Sequence, residues 1–289
     1  MDIQPPKIPL DQWINQGIEW LTSSIGGVTN LVANWIDGAV GTMTDFLTWY
    51  PAPMMIVLFA LLAWWISRRV KIGFFTLVAL GFIWGGMGLW VSTIQTLNLV
   101  LLSAALAIAI GIPLGILGAL FKHFRLMLMP VLDVMQTLPP FVYLLPAVPI
   151  FGLGSTAAVF ATVIFAMPPV TRLTTLGIQQ VSDELVEAVD SFGSTRWQKL
   201  VKLQIPLAMA SIRAGVNQTI LLSLSMVVIA AMIGAKGLGA EVWKAIQRLQ
   251  YGRGFEAGIA IVLIAMVLDR VLRRVGQATG SSESAATAK

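Results

Sequence analysis

Few side chains in this sequence could act as metal ligands, general bases or nucleophiles. The 289 residues include one histidine, His123, and no cysteine, which argues against a histidine-based metal site and excludes thiol chemistry. The sequence patterns of a P-loop nucleotide site, a zinc-protease helix and a serine nucleophile elbow are all missing from it. We therefore expect no catalytic residue, no metal and no bound cofactor in this chain.

Two ionisable residues, Asp133 and Arg172, fall near the ends of long apolar segments. A charge within a membrane is costly, so each of them needs a partner. We expect the two to pair, either as a fixed structural contact or as a moving gate. The apolar segments have no carboxylate near their middle, which argues against an ion-coupled secondary transporter.

Other polar and aromatic side chains lie in apolar segments that contain proline. The stretch QTLPPFVYLLPAVP (136–149) holds four prolines, and a Pro-Pro pair follows at 168–169. Proline kinks a helix and frees carbonyl groups, and kinked helices can line a cavity. The candidates for a translocation pathway are Gln136, Phe141, Tyr143, Asn217, Ser223 and Met226. Their alternative role is hydrogen bonding or packing between helices.

The composition is that of an integral membrane protein. Hydrophobic residues make up 57% of the chain, charged residues only 11%, and the mean hydropathy is +0.82, whereas soluble domains carry about 25% charged residues. A membrane span needs about 20 apolar residues. About seven stretches qualify: 52–67, 73–91, 95–121, 129–151, 156–176, 212–233 and 256–272.

The basic residues between these stretches predict the orientation. Alternate connections carry Arg68, Arg69, Lys71, Lys122, Arg125, Arg196, Lys199, Lys202, Arg270, Arg273 and Arg274, whereas the connections STIQT and GLGST carry no charge. The positive-inside rule therefore places the N-terminus outside and the C-terminus inside. The net charge of +5 reflects this sidedness, and we expect no nucleic acid partner.

The ends of the chain differ from its middle. Apolar residues recur every three or four positions through residues 1–50, which predicts one or two amphipathic helices on the outer surface. This region could anchor or pack at the interface, or dock an outer partner. We expect two peripheral spans in 51–94, a core domain in 95–275 with an inner loop at 177–211, and a polar tail at 276–289.

The inner loop contains EAVDSFGSTRWQKLVKLQIPLA, residues 187–208. Ser182 is a suitable N-cap for an amphipathic helix that Gly193 ends. A second helix is predicted from Ser194, with Pro206 ending it before the next span. Such a helix–glycine–helix elbow could transmit a push, although an ordinary solvated loop is the alternative.

This segment resembles the EAA loop of binding-protein-dependent ABC importer permeases. That motif reads Glu-Ala-Ala, three residues, Gly, nine residues, Ile-x-Leu-Pro, and the matching positions here are Glu187, Ala188, Gly193, Leu203, Ile205 and Pro206. Val189, Leu203 and Ile205 depart conservatively from it. The resemblance implies a type I importer fold and a coupling helix that contacts a separate ATPase subunit.

A broader similarity covers roughly residues 95–272. LDVMQTLPPFVYLLP, FAMPPVTRLTTLGIQQV and AGVNQTILLSLSMVVIAAMIG resemble the glycine betaine, proline betaine and choline permeases of the ProU/OpuA type. The similarity implies a homodimer in the bacterial inner membrane, with a separate substrate-binding protein and two ATPase subunits that bind ATP and magnesium. Its substrates would be quaternary amine osmoprotectants, including carnitine. The alternatives are another small zwitterion, such as an amino acid, or an ion-coupled carrier.

The last outer connection, 234–255, is unusual because it carries four basic residues on the side predicted to have few. Its middle, from Glu241 to Tyr251, can form a short helix with Lys244 and Arg248 on one face. We expect this face to dock an acidic patch on the binding protein, and a solvated charged face is the alternative.

Overall fold

The chain folds into helices joined by short connections. This computed structural model describes residues 9–277, and within them the regular elements are α-helices, a 3-10 turn (Pro140–Tyr143) and a π-helical turn (Leu200–Gln204). The α-helices are α1 (Leu10–Trp49), α2 (Ala52–Ser67), α3 (Val70–Gly85), α4 (Trp90–Leu120), α5 (Lys122–Thr137), α6 (Leu144–Phe151), α7 (Ser155–Gln179), α8 (Asp183–Ser191), α9 (Arg196–Lys199), α10 (Ile205–Ser225), α11 (Val227–Ala231), α12 (Leu238–Gln247) and α13 (Tyr251–Gln277). The predicted all-α class is confirmed. The predicted tail lies outside the described residues from 278 onward.

Within residues 9–277, three continuous helices are long and apolar enough to cross a membrane. They are α4, α7 and the helical run Arg196–Ala231, which joins α9, α10 and α11. Two bent pairs, the second half of α1 with α2 and α5 with α6, would bring the number to five. The structure thus describes a multi-pass membrane protein, and the count of seven spans with its orientation stays a prediction.

The predicted span 129–151 is not one helix. α5 ends at Thr137, and the chain turns by 112° before it continues through the 3-10 turn into α6. Leu138 and Pro139 are extended, with ψ of 134° and 139°. A residue before proline is pushed out of the helical region, and the consecutive prolines at 139 and 140 extend that effect.

The core consists of α4, α7 and α10, which approach closely. A Cβ on Gly115 of α4 would lie 2.6 Å from the carbonyl oxygen of Thr171 on α7. The hydroxyl of Thr175 donates to the Gly115 oxygen at 2.8 Å, and that of Thr219 on α10 donates to the Ala166 oxygen at 2.9 Å. Small residues and interhelical hydroxyl bonds are typical of helix packing in membranes.

The remaining helices surround this core. α2 and α3 pack against each other and against α13, where the Arg270 guanidinium lies 3.9 Å from the centre of the Phe75 ring. The first 50 residues, predicted as one or two helices, form the single helix α1 from residue 10 onward. Its second half packs on α4, α6 and α7, and Ile36 joins their core.

Candidate coupling site

The first helix of the inner loop ends at a glycine in the left-handed conformation. Gly193 has φ of +78°, and its N–H donates to the Asp190 carbonyl at 2.9 Å. The Ser194 N–H donates to the Val189 carbonyl at 3.4 Å. This pair of bonds is the Schellman motif, whose left-handed position favours glycine because it has no Cβ. The predicted helix end at Gly193 is confirmed.

The second helix begins two residues later than predicted. Thr195 is its N-cap: the Gln198 N–H donates to the Thr195 hydroxyl at 3.3 Å, and the Thr195 N–H donates to Gln198 Oε1 at 2.9 Å. These reciprocal bonds form a capping box. The predicted start at Ser194 is wrong because that residue closes the preceding Schellman turn.

The prediction that Pro206 ends the second helix is also wrong. A π-helical turn, Leu200–Gln204, connects α9 directly to α10, and the Ile205 N–H donates to the Leu200 carbonyl. Pro206 directly follows this turn as the second residue of α10, and the wider hydrogen bonding of the π-helical turn accommodates its missing N–H. The result is one 36-residue helix, Arg196–Ala231, roughly 54 Å long at 1.5 Å per residue.

Two contacts hold the elbow against the core. Leu200 is 1% exposed and packs with Ile178 of α7 and with Ile116 near the C-terminal end of α4. Lys199 Nζ lies 2.7 Å from Asp190 Oδ2 and so ties α9 to α8. Neither contact was predicted. The sequence periodicity indicated an apolar face on the second helix, but α9 itself buries no residue: Trp197 is exposed, and the buried Leu200 is the first residue of the π-helical turn.

The opposite side of the elbow is open. α8 buries none of its residues. Phe192, at the apex, is 91% exposed and Trp197 is 69% exposed. An open cleft of about 530 Å³ separates the elbow from the C-terminal end of α4, lined in part by Phe121 and Trp197. Exposed aromatic side chains beside a cleft are typical of a surface that another protein covers.

The motif residues divide between these two sides. Glu187 and Ala188 are exposed on α8, whereas Leu203 and Ile205 are half-buried at the junction with α10 and Pro206 is exposed. The structure thus assembles the motif into one elbow with a free face and an anchored face. The contact of this elbow with an ATPase stays a prediction.

The last outer connection is folded, as predicted. α12 spans Leu238–Gln247, and the Leu238 N–H donates to the Thr96 hydroxyl of α4 at 2.8 Å. Lys244 and Arg248 are exposed and line one cleft of about 220 Å³ with Arg253. Lys244 pairs with Glu241 at 3.1 Å. This helix begins three residues before the predicted range Glu241–Tyr251 and ends four residues before its end, so Arg248 is the C-cap of the helix.

Comparison with known proteins identifies the family. Residues 111–280 match the family described as binding-protein-dependent transport system inner membrane component. The chain belongs to this family. The match includes the elbow and the helices that anchor it, so the resemblance predicted from the sequence is confirmed.

Relatives of this permease cover nearly its whole length. It is 47% identical over 270 residues to the glycine betaine transport system permease protein OpuAB of Bacillus subtilis, covering 93% of this chain and 95% of that one. It is 49% identical over 269 residues to the glycine betaine/carnitine transport permease protein GbuB of Listeria monocytogenes, covering 92% and 95%. It is 46% identical over 270 residues to the glycine betaine/proline betaine permease ProW of Escherichia coli, covering 93% and 76%.

A solved structure shares the fold of this permease. An inward-facing form of the MetNI methionine ABC transporter matches with a TM-score of 0.60 at 19% identity, covering 66% of this chain and 98% of that one. At this identity the likeness concerns the fold alone, and it supports the predicted type I importer architecture.

The structure does not gather the six pathway candidates around one cavity. Ser223 and Met226 of the permease are fully buried, and Met226 belongs to an apolar cluster with residues of α4, α6, α7 and α11. Tyr143 is buried, donates to the Met135 carbonyl and contacts the Phe165 ring edge-on at 5.9 Å between centroids. These contacts are the interhelical packing that was the alternative role.

The other three candidates lie elsewhere. Gln136 and Phe141 are exposed on either side of the bend between α5 and α6. Asn217 is half-buried, and its side-chain nitrogen lies 3.4 Å from Asp269 Oδ1 of α13. A single subunit therefore presents Gln136 and Phe141 outward, where a pathway between two copies could pass. Their role in transport stays a prediction.

The expected pair of Asp133 and Arg172 is present. Their side chains form an ion pair between α5 and α7. About a third of the Arg172 side chain is exposed and Asp133 is more exposed still, and the guanidinium Nε has no hydrogen-bond partner among the described residues. The pair fastens the segment before the bend to the core.

Proposed function

We propose that this chain is the membrane-spanning permease subunit of an ATP-driven importer for quaternary amine compatible solutes. Its transmembrane helices would form the translocation pathway. The elbow, residues 183–204, would couple them to a separate ATPase subunit. We infer that the chain works in the bacterial inner membrane, and the description of its family as an inner membrane component supports this.

The observation that carries the proposal is the joining of the elbow to α10 without a break. The short segment 192–200 has an exposed residue, Phe192, at one end and a buried residue, Leu200, at the other. A displacement applied at the apex would pass to α9 through the Lys199–Asp190 ion pair and to α10 because α9 continues into it, and it would reach α4 and α7 through the contacts of Leu200. Packed helices shift as rigid bodies, so a push at this point moves several spans together.

The partners follow from what the chain does not provide. It has no P-loop, so ATP and magnesium would be bound by the ATPase partner. We infer from the resemblance to the ProU/OpuA-type permeases that two copies of the chain work with two ATPase subunits, each elbow contacting one of them. A separate binding protein would deliver the solute to the outer face, at Lys244 and Arg248.

The substrate class is supported by the relatives and by the charges of the chain. Proteins nearly half identical to it are named as permeases for glycine betaine, carnitine and proline betaine. A quaternary ammonium is permanently charged and is attracted to aromatic faces without needing a carboxylate. Phe141 and Trp243 could provide such faces. A different small zwitterion, such as an amino acid, is the second candidate.

Reconstitution tests the proposal directly. The chain is co-purified with its ATPase, placed in liposomes, and supplied with binding protein and radiolabelled glycine betaine. Uptake should require ATP inside the liposomes and should be unaffected by a protonophore. Uptake that persists without the ATPase and stops with the protonophore would show a secondary transporter, and uptake of an amino acid alone would show a different substrate.

A further inference from the structure

α1 carries three distinct stripes along its length. The first stripe packs on the rest of the protein: Thr29 and Ile36 are buried, and Ala33, Val40 and Thr44 are half-buried. These residues follow one another at steps of three, four or seven, which places them on one side of the helix.

The second stripe is apolar and uncovered. Its members include Trp13 (59% exposed), Trp20 (68%), Val28 (62%), Leu31 (71%), Trp35 (59%) and Phe46 (58%). They also recur at helical spacing, about a third of a turn or more from the packing stripe. A soluble surface rarely leaves so continuous an apolar strip uncovered, which means that something covers it.

The third stripe is polar and exposed. It consists of Gln12, Gln16, Glu19, Asn30, Asn34 and Asp37. It lies about a third of a turn from the apolar stripe, so α1 has one face suited to water and a separate one suited to hydrocarbon. This separation is the pattern of a helix that lies in the plane of a membrane interface.

The direction of α1 agrees with this pattern. The second half of α1 makes an angle of 107° with α2, so the two cannot both run along the membrane normal. α2 is apolar throughout, and its exposed side chains, such as Met54 and Val57, continue from Trp49 at the end of α1. If α2 crosses the bilayer, α1 lies nearly parallel to the bilayer surface.

The contacts of α1 decide the side of the membrane. Thr156, at the start of α7, donates to the Ala33 carbonyl at 3.3 Å. Asn98, near the start of α4, donates to the Thr44 hydroxyl at 2.8 Å. Both helix starts are outer ends in the orientation that the basic residues predict. α1 therefore spans the outer ends of two core helices.

We propose that α1 lies in the outer-leaflet interface of the bilayer, with its apolar stripe in the acyl chains and its polar stripe in water. Tryptophan is enriched at this depth because its ring is amphipathic. Residues 10–49 contain four acidic residues and no lysine or arginine, so the helix is held by apolar burial and needs no anionic lipid. α1 thereby sets the height of α4 and α7 in the membrane.

Spin labels on neighbouring positions test this arrangement. Asn30 and Leu31 are consecutive and both exposed, but they lie on the polar and apolar stripes. Single cysteines at these positions in the cysteine-free chain are labelled in the complete complex in phosphatidylcholine nanodiscs. The label at 31 should be severalfold more accessible to oxygen than to a water-soluble nickel chelate, and the label at 30 should show the reverse. Added phosphatidylglycerol should leave both unchanged.

A second matched pair, Glu19 and Trp20, gives the same comparison if a label at 30 or 31 disturbs assembly. Equal access of the nickel chelate to both members of a pair would overturn the proposal, because the apolar stripe would then face water. A label at 31 shielded from both reagents would also overturn it, since protein, whether the binding protein or a second copy, would then cover the stripe. Neither result would affect the coupling role of the elbow.

Discussion

Lys199 and Asp190 join the two helices of the inner elbow across the turn at Gly193. The ammonium and carboxylate atoms are 2.7 Å apart, and about a fifth of the lysine side chain is exposed against nearly half of the aspartate side chain. This ion pair fixes the angle between α8 and α9. Because α9 continues into α10, it also fixes α8 relative to a transmembrane helix.

We expect loss of this pair to weaken coupling more than folding. A partly exposed ion pair contributes roughly 0.2–1 kcal/mol, so Lys199→Ala should lower ATP-driven uptake about two- to fivefold while assembly is retained. Lys199→Arg keeps the charge and is the control. Adding Asp190→Ala to Lys199→Ala should cause no further loss. Additive losses in the double variant would show that the two residues act independently.

Gly193 should tolerate asparagine but not leucine. A Cβ at this position would have nothing within 4 Å, so a larger side chain would not clash. The constraint is the backbone, because φ is +78°. The left-handed conformation costs most L-residues roughly 1–2 kcal/mol, and asparagine adopts it more readily. Gly193→Leu should insert normally and lose most uptake and binding-protein-stimulated ATPase activity, whereas Gly193→Asn should keep most of both. Equal activity of the two variants would mean that the turn has no role in coupling.

Gly81 and Gly115 belong to two separate GxxxG patterns, GFIWG (81–85) and GIPLG (111–115). Substitution by alanine should nevertheless affect the stability of the protein differently at the two positions. A Cβ on Gly115 would lie 2.6 Å from the Thr171 carbonyl oxygen, whereas one on Gly81 has nothing within 4 Å. Forcing extra atoms into a packed interface costs typically 1–3 kcal/mol. Gly115→Ala should therefore lower the melting temperature of the purified permease in detergent, and Gly81→Ala should not. A similar shift in both would contradict the close contact of Gly115 with α7.

The same comparison shows how far the sequence predicts this fold. Gly111 and Gly115 pack against α7, while the identical spacing at Gly81 and Gly85 faces open space. A GxxxG pattern permits a helix to approach another helix closely. Whether it does so depends on whether a neighbouring helix lies against that face. Helix class and the Gly193 turn were predictable because they depend on local backbone preferences.

Proline gave the least reliable predictions, for a physical reason. Pro139 coincides with a sharp bend, whereas Pro206 lies within a helix that continues, as do Pro168 and Pro169 in α7. A proline breaks a helix only where the freed carbonyls and the lost N–H find no substitute arrangement. At Pro206 the π-helical turn is that arrangement, and its wider hydrogen bonding is not visible in sequence spacing.

The orientation of the chain can be tested by labelling exposed positions. Asn30 and His123 are both exposed in the structure, and the basic connections predict opposite sides of the membrane for them. In intact cells, an impermeant thiol reagent should label a cysteine at 30 and leave one at 123 unlabelled. Permeabilised cells provide the control, since both should then react. The opposite pattern in intact cells would reverse the assignment.

The cleft lined by Lys244, Arg248 and Arg253 is the predicted docking site of the binding protein. Lys244 is partly neutralised by Glu241 at 3.1 Å, whereas Arg248 has no ion-pair partner among residues 9–277. Charges at the edge of an interface act mainly on the rate of association. We therefore expect Arg248→Glu to slow uptake severalfold at limiting binding protein, and Lys244→Glu to have a smaller effect. The double variant should show the largest defect.

The dependence on concentration and salt distinguishes docking from damage. The defect should shrink at saturating binding protein, and the difference from wild type should narrow as salt screens the charges. Gln247→Glu, on the same exposed helix end, is a control for added negative charge outside the cleft. A defect that is unchanged at saturating binding protein would place Arg248 in the transport step itself, and no defect at limiting binding protein would show that the binding protein docks elsewhere.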